Sequence, residues 1–188
     1  MKAIINAAML AFAFLAAAAC TGKQEMSPAQ KAVAEKIAQS AGADAVITFT
    51  VFEKVDSTTF GQELEHRKQV FRLRLQQNLK YYEQFTMEGK PISASAKKAD
   101  KDKDILVLRG LEEIGKRMAD SLDLTAYFDY RFSGSAKSGD GTLTFTDYYA
   151  SITPDGKLMN LTDSQKGLHI PLGRVLPGYL ELIEDDEP

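Results

Sequence analysis

The chain has 188 residues, 44% hydrophobic and 26% charged, with a formal net charge of −3. That balance excludes a disordered chain, and an acidic chain with no basic block is a poor partner for nucleic acid, whose phosphates need a clustered positive field. A single cysteine excludes an internal disulfide, and the absence of tryptophan takes weight from carbohydrate stacking.

The amino terminus has the parts of an export signal: a basic Lys2, an apolar run from Ala3 to Ala19 interrupted by Asn6, and small residues Ala17, Ala18 and Ala19. A membrane-spanning helix needs about 20 apolar residues, and this run falls short. The chain's only thiol, Cys20, follows at once. The stretch LAAAAC resembles a bacterial lipobox, with Ala17 where leucine is preferred. The resemblance implies cleavage before Cys20, thioether lipidation of its sulfur and acylation of the new amino terminus. Each buried CH2 contributes about 0.8 kcal/mol, so several chains together hold a protein on a membrane. Thr21 stands where an aspartate often marks retention in the inner membrane, which favours the outer membrane. The expected layout is a signal peptide over 1–19, a lipidated tether over 20–26 and one domain over 27–188.

Ser27, Pro28 and Gln30 form a helix start, and Ala29, Val33, Ile37 and Ala41 recur at helical spacing up to Gly42. Ala45 to Val55 alternates as a strand, with Ile47, Phe49, Val51 and Val55 on one face. Asp56 to Thr59 offers caps, Thr59 and Gln62 have capping-box spacing, and a long helix is predicted over about 60–85. Gly89 and Pro91 break it. The charged stretch SAKKADKDKD reads as a loop or the exposed start of a helix that is clear from Ile105 to near Asp123. AYFDYRFSGS and GTLTFTDYYASI then alternate as strands, Pro154 to Gly156 marks a turn, and LMNL is a return strand. The order predicts an α+β fold, with an antiparallel sheet of about four strands packed on two or three helices. In element order it is similar to cystatin-like or NTF2-like folds, where a sheet curls around a long helix.

Catalytic signatures are missing. His66 and His169 have no GxSxG elbow to serve, there is no HExxH, and Asp100, Asp102 and Asp104 match only the start of a calcium loop, with Ile105 and Leu111 at its glycine and closing glutamate positions. No catalytic residue, metal or cofactor is therefore assigned. The arginines of the long helix, with Glu63 and Arg67 spaced as an i,i+4 pair, read as a solvated face. The aromatic group Tyr127, Tyr130, Tyr148 and Tyr149 suits an interface, and alternation puts Tyr148 and Tyr149 on opposite sheet faces. With His169 and Tyr179 these residues form the expected binding surface.

The stretch 147–183 is similar to the first half of an FKBP-type prolyl isomerase domain: Tyr149, Asp155-Gly156, Pro171-Leu172-Gly173 and Val175-Leu176-Pro177-Gly178 fit its pattern. Met159-Asn160 replaces the family's Phe-Asp pair, Tyr179 replaces its pocket tryptophan, and the later strands and aromatic flap have no counterpart in these residues. The expected function is a non-catalytic cell-envelope lipoprotein, held to the membrane through Cys20, that binds an envelope protein partner or a small ligand. The alternative is a degenerate FKBP-like isomerase or chaperone.

Overall fold

The computed structural model describes residues 25–139 and 141–183. The signal segment, Cys20 and the acidic end lie outside the described residues.

The first helix, α1 (Pro28–Ala41), starts with the predicted capping box: the Gln30 amide donates to Ser27 Oγ at 3.2 Å and the Ser27 amide to Gln30 Oε1 at 2.9 Å. Strand β1 (Val46–Thr59) absorbs Asp56 to Thr58, and the second capping box, Thr59 with Gln62, opens α2 (Phe60–Met87). Gly89, at φ +66°, turns the chain into α3 (Pro91–Arg117). A 3-10 turn, Ala119–Ser121, leads to β2 (Thr125–Ser138), β3 (Gly141–Ile152) and β4 (Leu158–Thr162). Two further 3-10 turns, Gln165–Gly167 and Ile170–Val175, precede α4 (Tyr179–Ile183).

The fold is α+β. Its four strands form one antiparallel sheet in the order β1-β2-β3-β4. Helices α2 and α3 are an excursion between two neighbouring strands. An antiparallel helix pair returns the chain to the end of the sheet it left, so β1 and β2 pair as a hairpin would, from Val46↔Lys137 to Thr59↔Thr125. Phe60 N donating to Leu124 O (3.0 Å) and Gly61 N donating to Leu122 O (2.8 Å) close the base.

Alternation sorts the strand side chains onto two faces. One face packs under α1, where Val33, Phe132, Phe145, Ala150 and Ile152 are buried and Phe49, Phe132 and Phe145 meet edge-on. A second core fills the base of the helical hairpin with Leu64, Phe71, Val107, Leu111, Ile114, Leu176 and Tyr179. A small cluster, Ala126, Tyr127 and Leu172, adjoins the second core and shares Phe60 and Val175 with it.

Three local features differ from the sequence reading. The helix lying on the sheet is the short α1, whereas α2 packs along α3. The stretch 95–104, read as a loop or the exposed start of a helix, is part of α3, but Asp104 within it is not exposed. Asp104 occupies a seam position in line with Val107, Leu111 and Ile114, and its charge hid the pattern; it is fully buried, pairs with Arg74 at 3.1 Å and accepts from Asn78 Nδ2 at 2.8 Å. Glu63 and Arg67, expected on a solvated face, are buried. Glu63 sits one position before Leu64 in the turn that docks against β2, and Arg67 one turn later, so both point into the hairpin base.

Candidate functional site

Two sites emerge, one on each face of the sheet. The first lies beside α1. Helix α1 crosses the apolar face from the β3–β4 turn, with Pro28 against Gly156, to the β2–β3 turn, with Gly42 beside Ser138, and leaves one flank of β3 and β4 open beside it. The helix also presents small residues there, Ala29 and Ala41 with Val33 and Ile37. A groove of about 240 Å³ remains, with Phe132 and Phe145 as floor and Ile37, Leu143, Tyr148 and Leu161 as walls. Leu143 is 56% exposed although it belongs to the face that forms the core. A wider, more polar groove of about 560 Å³ continues along α1 past Glu35, Gln39 and the strand from Gly156 to Leu161, and the two share Lys36 and Leu161.

The second site is a buried polar network on the opposite face, at the hairpin base. Tyr127 and Asp129 both point to that face from β2. The Tyr127 hydroxyl lies 2.9 Å from Glu63 Oε2 and 3.2 Å from His169 Nδ1. Arg67 Nε donates to Glu63 Oε1 at 2.5 Å, and its guanidinium also donates to the His169 carbonyl at 2.5 Å. His169 Nε2 stands 3.5 Å from Asp129 Oδ2, and Ser151 Oγ donates to Asp129 Oδ1 at 2.5 Å. Glu63, Asp129 and Ser151 are at most 2% exposed. Burial pushes the Asp129 carboxyl up, against the opposing pull of the Ser151 hydroxyl and His169. Burial likewise pushes the Tyr127 phenol well up, with the Glu63 carboxylate adding to it. A pocket of about 210 Å³ opens beside the network, lined by Thr58, Gln62, Glu63, His66, Tyr127 and His169.

The network ties α2 and the segment around His169 to the sheet. Both ring nitrogens of His169 face protein groups, Nδ1 the Tyr127 hydroxyl and Nε2 the Asp129 carboxylate. Ser151 donates to a carboxylate, not to the imidazole. Among the described residues, no three His, Cys, Asp or Glu side chains are grouped to hold a metal ion, and no helix is long and apolar enough to cross a membrane.

No protein-family profile matches the chain, and comparison with curated proteins and with solved structures returned no match.

The expected binding residues divide between the two sites. Tyr148 lines the α1 groove, and Tyr130 packs on Phe52 on the same face, ring centroids 5.1 Å apart, with burial raising its phenol pKa. Tyr127 and His169 form the polar network. Tyr149 lies on that second face, across from Arg131 and Thr162. Tyr179 is core, its ring over the Gly173 backbone where a Cβ would overlap it. Of the residues carrying the isomerase resemblance, Met159 packs on the Tyr127–Leu172 cluster and Val175 bridges that cluster to the hairpin core. Phe145 and Leu143 of the groove, and Glu63, Arg67, Asp129 and Ser151 of the network, escaped the sequence reading. The available signals were the i,i+4 spacing of Glu63 and Arg67 and the shared parity of Tyr127 and Asp129.

Proposed function

We propose that the protein is a lipid-anchored, non-catalytic binding protein of the cell envelope, placed on the outer membrane by its lipobox-like start, and that it holds an extended apolar segment of a protein partner in the trough between α1 and strands β3 and β4. The observation that carries this reading is the apolar groove beside α1, walled by Ile37, Tyr148 and Leu161 over the core rings Phe132 and Phe145, with Leu143 exposed on the rim. An apolar opening on a core face costs stability unless something occupies it. Two features favour a peptide over a compact small molecule. The apolar groove continues into the polar one, so the trough is elongated. Strand β4 is also the last in the sheet order, and an extended segment beside an edge strand gains main-chain hydrogen bonds while alternate side chains enter pockets.

The reading is tested in cells with a photo-crosslinking residue at Leu143 and, as control, at the exposed Met87 on the far end of the hairpin. A discrete protein adduct from position 143, absent from position 87 and lost when Tyr148→Ala is added, is the expected result. An adduct of equal strength from both positions, or a lipid adduct alone, overturns it. The anchor is tested separately: Cys20→Ala is expected to release the protein from membranes as an unprocessed precursor, and a variant that still matures and stays bound refutes lipidation.

A further inference from the structure

We infer that His169 is a proton-operated latch: its ring, set between Tyr127 and Asp129, fastens the Gln165–Val175 segment and the base of the helical hairpin to the sheet while the His169–Asp129 pair keeps a shared proton, and loosens them when that proton leaves. Nothing in this inference depends on the binding function of the α1 trough, which lies on the other face.

The argument is a proton count. Tyr127 has one hydroxyl hydrogen. Glu63, paired with Arg67 at 2.5 Å, accepts it at 2.9 Å. The phenol oxygen is then an acceptor, receiving the Thr58 hydroxyl and, at 3.2 Å, a hydrogen on His169 Nδ1. That hydrogen places the remaining proton question on Nε2, 3.5 Å from Asp129 Oδ2. In a neutral ring protonated on Nδ1, Nε2 is a bare lone pair facing a carboxylate that is 2% exposed. One additional proton, on Nε2 or on Asp129, turns that repulsion into an attraction. The carboxyl pushed up by burial agrees with this. Other charges bear on the pair from every packed element: Asp56 from β1, and Glu63, His66 and Arg67 from α2. Ser151 from β3 holds the other Asp129 oxygen.

The segment is anchored by three buried leucines, Leu168, Leu172 and Leu176, and the latch acts at His169, between the first two. No strand pairing holds 163–169 among the described residues. Its backbone is tied by side chains from two elements: Asn160 Nδ2 donates to the Gly167 and Leu168 carbonyls at 3.1 and 2.8 Å, and Arg67 donates to the His169 carbonyl. His169 therefore links β2, through its ring to Tyr127 and Asp129, with α2, through its backbone carbonyl to Arg67. Histidine is the side chain suited to exchange a proton in the ordinary pH range.

The test is amide hydrogen exchange on the purified full-length protein in detergent at about pH 5.5 and about pH 8, corrected for intrinsic exchange rates. Protection of the amides from 165 to 176 is expected to fall about tenfold at the higher pH, while the central strand β2 stays protected. Asp129→Asn and His169→Gln should abolish the pH dependence, and His66→Gln should keep it. If Asp129→Asn fails to fold, the half-buried His169 variant decides alone. Protection that does not change with pH in the native chain overturns the latch, as does a dependence that survives His169→Gln or disappears in His66→Gln.

Discussion

Replacing Glu63 with leucine isolates the energetics of the hairpin base. Glu63 is 1% exposed and accepts from Arg67 at 2.5 Å and from Tyr127 at 2.9 Å. Leucine keeps much of the volume and removes both acceptors. The substitution breaks the buried pair of Glu63 with Arg67, and breaking a buried pair by removing one partner costs about 3–5 kcal/mol. Replacing both partners, as Glu63→Leu with Arg67→Met, removes both charges together and is expected to be nearly neutral or stabilising. The assay is urea unfolding of the two single variants and the double variant, closing a double-mutant cycle. With a slope of about 2 kcal/mol per molar urea, the single variant should lose about 1.5–2.5 M in midpoint, and the double variant should recover most of it. A double variant as unstable as the sum of the singles would refute the claim that the penalty comes from removing one partner alone. A loss below about 1 kcal/mol in Glu63→Leu would show that water reaches Arg67 and that the network is not buried.

Asp104→Leu should be neutral or stabilising by up to about 4 kcal/mol in thermal melting, because the seam position is apolar in character and Arg74, already 45% exposed, passes to solvent. A loss of several kcal/mol would show instead that the Asn78 and Arg74 bonds hold the helix pair together. Gly173→Ala should cost about 1–3 kcal/mol in the same measurement, since its methyl would enter the Tyr179 ring, and an unchanged melting temperature would refute that packing. Asp129 carries a pH prediction for global stability. Its raised folded pKa means that the folded state binds the proton more tightly, so this group's contribution is full below the ordinary carboxylate value of about 3.9 and is lost as pH rises through the raised value. Relative to Asp129→Asn, the native chain should therefore lose stability as pH climbs from about 4, and a difference that stays flat with pH in urea titrations would contradict the assignment.

Much of the architecture was legible because local rules and global packing agree. Both capping boxes, Ser27 with Gln30 and Thr59 with Gln62, form as their spacing predicts. Alternation in 127–132 and 143–152 gives the strand faces, including Tyr148 and Tyr149 on opposite sides. The illegible parts have a common cause: a charged residue at a buried position. Asp104 looks like part of a solvated run, yet it lies in a helix seam. Glu63 and Arg67 look like an exposed pair, yet tertiary docking of the first turns of α2 buries them. The four tyrosines Tyr127, Tyr130, Tyr148 and Tyr149 are divided between the faces by the period of two, as the alternation already required for Tyr148 and Tyr149. Pattern reports which residues share a face, but which face receives a helix is decided by chain connection, and here the short α1 takes the place that a long helix was expected to fill.

The tether and the trough together make a claim about geometry. Seven residues, Thr21 to Ser27, follow Cys20, so lipidation there keeps the start of α1 within about 25 Å of the bilayer surface. Helix α1 begins beside the β3–β4 turn, with Pro28 against Gly156, and ends beside Ser138 at the β2–β3 turn. The helical hairpin leaves the sheet from the end where α1 begins, because Thr59↔Thr125 and Phe128↔Ile152 lie there. The start of α1 and the hairpin base thus share one end of the sheet, and the apolar groove opens toward the other, about 15 Å further along α1. On the proposed lipid anchor, a partner segment held by the membrane would meet the trough only within that short reach. Inserting a flexible Gly-Ser linker of about ten residues between Met26 and Ser27, adding about 17 Å of root-mean-square span, should change photo-crosslinking from position 143 to a membrane-held partner while leaving peptide binding in detergent unchanged. If both stay the same, the anchor serves only for address. If both change, the linker has disturbed α1 itself, and the groove rather than the tether sets the geometry of capture.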